Sequence, residues 1–171
     1  MPCVSELNDL LVKQRISDAL IRYCRAMDRI DVELAREVWH ADGIADYRPT
    51  YYGLGRDFAE WICELHRTQM LSHTHRISNV LIVVAGERAH SECYITATMH
   101  RTGHENVVQT IYCGRYLDEW SPREDRWAID RRRYIHEFDE TRQIDPASFS
   151  GRPATLTTRD RGDPSYDLDL R

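Results

Sequence analysis

The sequence predicts an α+β fold: a cone-shaped α+β barrel in which helices pack inside a strongly curved, mostly antiparallel sheet. Apolar residues recur every three or four positions up to about residue 70 and at every second position afterwards, so helices come first and strands follow. The breaks between the later segments are short, which is typical of hairpins and therefore of antiparallel strands. A chain of 171 residues can bury one such core without disulfide bonds.

Three helices are predicted before residue 70. The first covers about residues 5–28, where the apolar positions follow a helical period and Ser5 can cap the N-terminus. The second lies in DVELAREVWH, residues 31–40, and the short strand GIADYR, residues 43–48, follows it after a turn. The third is RDFAEWICELHRTQM, residues 56–70, whose apolar stripe would face the sheet.

Four long strands are predicted after the third helix, because apolar and polar residues alternate between breaks rich in turn residues. They are HRISNVLIVV (75–84), RAHSECYITATMH (88–100), NVVQTIYCGRYLDEW (106–120) and RWAIDRRRYIHEF (126–138). The domain is therefore expected to cover residues 1–138. Residues 139–171 are polar and interrupted by proline and glycine, and should form a tail that is disordered or packed on the domain or a neighbouring subunit.

Composition argues against several classes of partner. The formal net charge of −5 disfavours nucleic acid or an anionic membrane, and the Arg131–Arg133 run would alternate between the two faces of a strand. No apolar run is long enough to span a membrane, and no signal peptide is evident at the N-terminus. Five scattered cysteines without CxxC spacing predict reduced thiols, so we expect a cytoplasmic protein.

Three residues suggest chemistry. Tyr23 and Asp28 stand at the end of the first helix, and His75 stands where a polar segment becomes an apolar strand. An imidazole held by a carboxylate, with a phenol nearby, can take a proton from carbon and stabilise the charge that develops. Read singly, Tyr23 fits a core position and Asp28 fits a helix end, so the interpretation depends on the pair with His75.

Four short motifs carry a resemblance to a known family. They are Tyr-x4-Asp ending the first helix, His-x3-Asn opening the first long strand, an aromatic residue ending the second helix, and Trp-x4-Arg in the last strand. The residues concerned are Tyr23 and Asp28, His75 and Asn79, Trp39, and Trp127 and Arg132. Over about residues 5–138 the chain resembles the SnoaL-like branch of the NTF2-like superfamily. That branch includes scytalone dehydratase, bile-acid 7α-dehydratase, γ-hexachlorocyclohexane dehydrochlorinase, ketosteroid isomerase and limonene epoxide hydrolase.

The resemblance implies a cofactor-independent lyase, a dehydratase or related elimination enzyme. His75 would remove a C–H proton, Asp28 would orient the imidazole, and Tyr23 and Arg132 would assist the leaving group. The substrate is expected to be small and apolar, aromatic or polycyclic. The residues expected to bind it are Trp39, Tyr51, His73 and Asn79.

Alternatives remain open at this stage. The same cone supports isomerases, hydrolases and non-catalytic subunits that bind ligands or assist assembly, such as the small subunit of ring-hydroxylating dioxygenases. His73 and His75 point the same way on a strand and could hold a metal with Asp28, His100 or His136 as a third ligand, but no metal or other cofactor is assigned. Apolar groups on the convex sheet face, which carries Ile111, Cys113 and Arg115 or the residues that alternate with them, suggest a homodimer or homotrimer.

Overall fold

The computed structural model describes residues 4–124, 126–149 and 158–168, in which a mixed sheet of six strands curves around three helices. The helices are α1 (Val4–Arg29), α2 (Val32–Glu37) and α3 (Gly55–Gln69), followed near the C-terminus by a short α4 (Pro146–Phe149) and a 3₁₀ turn (Pro164–Tyr166). The strands are β1 (Trp39–Tyr47), β2 (Tyr51–Leu54), β3 (Ser72–Ala85), β4 (Arg88–Thr102), β5 (Val107–Arg123) and β6 (Arg126–Ile144). None of the described helices is long and apolar enough to cross a membrane.

The strands lie in the order β2-β1-β6-β5-β4-β3, and neighbouring strands are antiparallel except β1 and β6, which are parallel. The predicted α+β class and the mostly antiparallel, curved sheet are thus confirmed. The sheet stays open, with β2 and β3 at its edges. Helices α1 and α3 cover its concave side, because their apolar faces can be buried only against the inward-facing residues of the strands.

The segment around the second helix differs from the prediction. Helix α2 ends at Glu37, and Trp39 is the first residue of β1 rather than part of the helix. The cause is pairing with β6: Ile129 donates its backbone N–H to the Val38 carbonyl at 2.8 Å, and the parallel ladder begins there. The four-residue strand β2 was not predicted, since Tyr51 and its neighbours read as a loop.

Helix α1 is amphipathic only along part of its length. Its buried face runs from Val12 to Met27 and packs into the concave side of the sheet. Towards the N-terminus, Leu7, Leu10 and Leu11 were expected to share this apolar stripe, but they are exposed.

The described part of the C-terminal tail packs on its own domain. Residues 158–168 lie across the end of α1 and the start of α2, where Asp163 pairs with Arg29 at 3.2 Å and Tyr166 donates its hydroxyl to Asp31 at 2.8 Å. The boundary expected at residue 138 falls inside β6, which continues to Ile144. Residues 150–157 and 169–171 of the expected tail lie outside the described residues.

The convex face of the sheet carries the residues expected at an oligomer interface. Ile111 and Cys113 are partly buried in the single chain, and Arg115 pairs with Glu92 and Glu137. The homodimer or homotrimer stays a prediction.

Gly55, the first residue of α3, generates a prediction about stability. A Cβ added there would overlap the indole ring of Trp39, and both residues are buried. We expect Gly55→Ala to lower the free energy of unfolding by about 1–3 kcal/mol, as overpacking of a core does. Urea denaturation would measure the change. Gly86→Asn is the control, because Gly86 has a φ of +62° and open space around it, a conformation that asparagine tolerates. Equal decreases of the free energy of unfolding in Gly55→Ala and Gly86→Asn would contradict the prediction that overlap with Trp39 causes the loss.

Candidate functional site

A cavity of about 470 Å³ opens on the concave side of the sheet between α1, α3 and the central strands. A ligand site of a few hundred cubic ångström is typical for small molecules. Aromatic and thioether side chains dominate the wall, and the polar groups are few. Its aromatic residues are Tyr23, Tyr47, Phe58, Trp61, Tyr112, Tyr116 and Tyr134, and its histidines are His66, His75 and His136.

The end of α1 places Asp28 beside the cavity. The helix closes with two backbone bonds, from Ile30 N–H to the Met27 carbonyl (3.2 Å) and from Asp31 N–H to the Ala26 carbonyl (2.9 Å). These are the two bonds of a Schellman motif, in which the residue after the helix adopts a left-handed conformation. Ile30 has a φ of 51°, uncommon for a β-branched residue. The helix therefore stops at a defined point, Arg29, one residue beyond Asp28.

Asp28 binds His75 through two groups. Its carboxylate accepts the backbone N–H of His75 at 2.9 Å and lies 2.7 Å from the ring atom Nδ1. A carboxylate can only accept at this contact, so Nδ1 carries the proton and Nε2 keeps its lone pair. The side chain of Asp28 is 17% exposed and that of His75 is 7% exposed. Nε2 has no hydrogen-bond partner within the described part of the chain, and His75 lines the cavity.

His73 points to the same side of β3 as His75 but is fully engaged elsewhere. Its Nε2 lies 2.8 Å from the Met27 carbonyl, and its Nδ1 lies 3.3 Å from the guanidinium of Arg159 in the C-terminal segment. The carbonyl only accepts and the guanidinium only donates, which fixes the proton on Nε2. Burial lowers the pKa of His73 to about 4. The structure thus gives His73 a role in packing α1 against β3, away from the cavity wall.

His66 on α3 is a site residue that the sequence analysis missed. It lines the cavity, is 1% exposed, and its ring lies 4.3 Å from that of His73 and 5.6 Å from that of His75. Burial lowers its pKa to about 2. A signal was available: residue 66 continues at four-residue steps the inward stripe of Phe58 and Ile62, so its side chain had to enter the core.

Tyr23 lines the cavity, whereas Arg132 lies behind it. Arg132 is fully buried and makes two bonds of 2.7 Å to Asp118, its direct partner across β5 and β6. The guanidinium carbon lies 3.9 Å from the ring of Tyr116 and 4.7 Å from that of Tyr23. Burial opposes the charge on Arg132, but the Asp118 carboxylate outweighs it and raises the pKa of the guanidinium. Tyr23 stays protonated, because burial raises its pKa well above the ordinary value.

Three residues expected to bind substrate do not reach the cavity wall. Trp39 is completely buried behind Tyr23, at a ring distance of 6.5 Å. Tyr51 stacks on Trp61 and donates its hydroxyl to the Leu54 carbonyl at 3.1 Å. Asn79 is exposed at an irregularity in β3, with a φ of 50° that asparagine tolerates. Core packing and strand geometry account for each of these positions, and a role of the three residues in substrate binding stays a prediction.

Three of the four ring nitrogens of His73 and His75, the pair considered for a metal, are in other bonds. His73 is bonded at both ring nitrogens, and Nδ1 of His75 is held by Asp28. Among the described residues, no group of three histidine, cysteine, aspartate or glutamate side chains could hold a metal ion. Cys24, Cys63, Cys93 and Cys113 are free thiols, and Cys3 lies outside the described residues.

Comparison with known proteins gives one family match. The family model of the SnoaL-like domain matches residues 8–133. No curated protein matches the sequence. Similar solved structures include a protein provisionally described as a scytalone dehydratase from Novosphingobium aromaticivorans DSM 12444, with 21% identity, 85% of this chain and 97% of that chain covered, and a TM-score of 0.68.

Two further structures have similar folds. Hexachlorocyclohexane dehydrochlorinase LinA-type3 from Novosphingobium barchaimii LL02 is 12% identical, with 77% of this chain and 90% of that chain covered and a TM-score of 0.67. An NTF2-like superfamily protein from Salmonella enterica serovar Typhimurium LT2 is 20% identical, with 75% and 92% covered and a TM-score of 0.64. At these identities the likeness concerns the fold alone.

The buried neutral histidines predict acid sensitivity. The pKa of His73 is about 4 in the folded chain, below the ordinary 6.5, so the unfolded chain binds more protons below pH 6.5. The free energy of unfolding should therefore fall as the pH decreases from 6.5 towards 4. His73→Gln keeps a donor for the Met27 carbonyl without titrating, and should reduce this slope by about 1.4 kcal/mol per pH unit.

Urea denaturation at several pH values would measure these slopes. His104→Gln is the matched control, because the His104 side chain is 96% exposed and its replacement should leave the slope unchanged. An identical slope in the native chain and the His73→Gln variant would contradict the prediction.

Proposed function

Because the chain belongs to the SnoaL-like domain family of the NTF2-like superfamily, we propose that it is a cofactor-independent lyase that eliminates a small group from an apolar, aromatic or polycyclic substrate. The single observation that carries this proposal is the 2.7 Å contact between Nδ1 of His75 and Asp28 at the wall of an aromatic cavity. The family includes proteins with other roles, so the residues of this chain must support the reaction.

His75 is the proposed base. With its proton on Nδ1 held by the carboxylate, the ring has only Nε2 left to accept a C–H proton from a substrate. The imidazolium that results is stabilised by Asp28, as in a catalytic triad without the serine. General base catalysis of this kind contributes about 10²- to 10⁴-fold. The low exposure of both side chains strengthens their interaction, because little water screens it.

Tyr23 is the proposed donor to the departing group or to the oxygen on which charge develops. Its hydroxyl keeps its proton, and its ring forms part of the cavity wall. Arg132 supports it indirectly. The guanidinium lies behind the rings of Tyr23 and Tyr116 and contributes a fixed positive charge there, largely balanced by Asp118. We therefore propose Arg132 as a positioning residue, not as a direct contact of the leaving group.

The cavity wall supports an apolar substrate. Stacked rings, such as Tyr47 against Phe58 at 4.2 Å and against Tyr134 at 5.4 Å, offer flat surfaces to a planar ligand. Among the described residues, no aspartate, glutamate or lysine lines the wall, and the one arginine that does, Arg48, already binds Asp46. The names of two similar folds, a dehydratase and a dehydrochlorinase, both denote elimination and favour the same reaction class.

The test compares elimination by the native protein with elimination by variants of His75 and Asp28. Native protein is assayed against cyclic alcohols and halides whose elimination products are conjugated, with absorbance and mass spectrometry reporting the product. On a substrate that turns over, His75→Gln should lower kcat by about 10²- to 10⁴-fold because the base is gone. Asp28→Asn should lower it by about 10²-fold or more, because an amide no longer fixes the tautomer.

His104→Gln serves as the activity control, since this residue is exposed in a turn, and circular dichroism would verify that each variant folds. Near-native turnover by folded His75→Gln would refute the proposal. The same reaction run in D₂O separates an isomerase from a lyase: an isomerase exchanges label into the substrate skeleton and releases no group.

A further inference from the structure

The three clustered histidines differ in how their ring nitrogens are used. His73 has both nitrogens hydrogen-bonded, and His75 has one held by Asp28 and one facing its proposed chemistry. His66 has neither ring nitrogen bonded within the described part of the chain, and its Nδ1 is buried without a partner. A neutral imidazole carries one donor and one acceptor, so both capacities of this ring are unused.

A buried imidazole without hydrogen-bond partners lowers the stability of the folded protein. A buried polar group without a partner typically destabilises a fold by about 1–3 kcal/mol. Its inward neighbours on α3, Phe58 and Ile62, fill corresponding positions with apolar groups that have no such requirement. Contact with the ring of His73 at 4.3 Å provides packing but no hydrogen bond. At this position the imidazole therefore needs a hydrogen-bond partner, and the residues packed around it do not provide one.

The cavity is where such a partner can come from. His66 lines it together with His75, and the two ring centres are 5.6 Å apart. Each of the two edges of the ring carries one nitrogen. Turning the ring by 180° about the Cβ–Cγ bond exchanges these edges, so a nitrogen can face the cavity in either orientation. The ring remains neutral at ordinary pH, since burial lowers its pKa to about 2. It thus offers hydrogen bonds without charge.

We propose that His66 is a polar subsite of the cavity that hydrogen-bonds a hydroxyl or carbonyl oxygen of the ligand. This inference deepens the proposed function, because it narrows the ligand class from an apolar ring to an oxygenated one. It assigns His66 to specificity and leaves proton removal to His75. A hydrocarbon of the same shape would pack against the aromatic wall but would leave the imidazole without a hydrogen bond. The site would in this way discriminate against a ligand that lacks the polar group.

The test compares binding of 2-naphthol and naphthalene, two planar probes that differ by one hydroxyl, using tryptophan fluorescence. The native protein should bind 2-naphthol more tightly. His66→Phe should reduce that preference by about three- to tenfold, the range of one neutral hydrogen bond, and should leave naphthalene affinity unchanged or higher. The melting temperature of His66→Phe should rise, whereas a purely structural histidine would lower it on replacement.

His75→Gln keeps the two hypotheses apart. If His66 carries the preference, this variant retains it even where elimination is lost, and the binding result stands even if no lyase substrate is found. His66→Leu is the second variant should phenylalanine not be accommodated. An undiminished preference in folded His66→Phe or His66→Leu, loss of the preference in His75→Gln alone, or equal affinity of the native protein for both probes would each overturn the inference.

Discussion

The Asp28 carboxylate accepts both the backbone N–H and the ring N–H of His75, and this double contact joins the end of α1 to the start of β3. It fixes where the helix sits on the sheet and, at the same time, how the imidazole is turned. The cavity lies between these two elements, so its shape depends on the same contact. At this position the requirements of folding and of the proposed chemistry coincide in one side chain.

The interior separates charged from neutral polar groups. Arg132 and Asp118 form a charged pair behind the tyrosine rings, and their charges neutralise each other. Removing one partner alone leaves the other charge buried and unpaired, which strongly destabilises the fold. His66 and His73 stay neutral because burial disfavours protonation. A wall of tyrosines that keep their protons and a neutral His66, in which the charge of Arg48 is paired with Asp46, suits a reaction in which charge appears only as a proton moves.

The fold class could be predicted from local patterns, helical period and strand alternation. The family and the neighbourhood of Asp28 and His75 could be predicted from the resemblance that the short motifs carry. What failed was non-local. The position of Trp39 depends on where β1 joins β6, and β2 is too short to have a period. The burial of Arg132 depends on the register that sets it opposite Asp118, between irregularities that no alternation in one strand reveals. His66 could have been found, since the stripe on α3 already directed it inward.

The Schellman ending of α1 has a consequence for how such chains can vary in length. Asp28 follows Tyr23 by five positions along the helix, a rotation of about 140° about the axis, so the phenol and the carboxylate leave the helix in different directions. Inserting or deleting one residue between them would turn one group by about 100° relative to the other. Insertions and deletions between these positions should therefore be rare in homologues that keep both residues, whereas the N-terminal turns of α1, whose leucines are exposed, are not under this constraint.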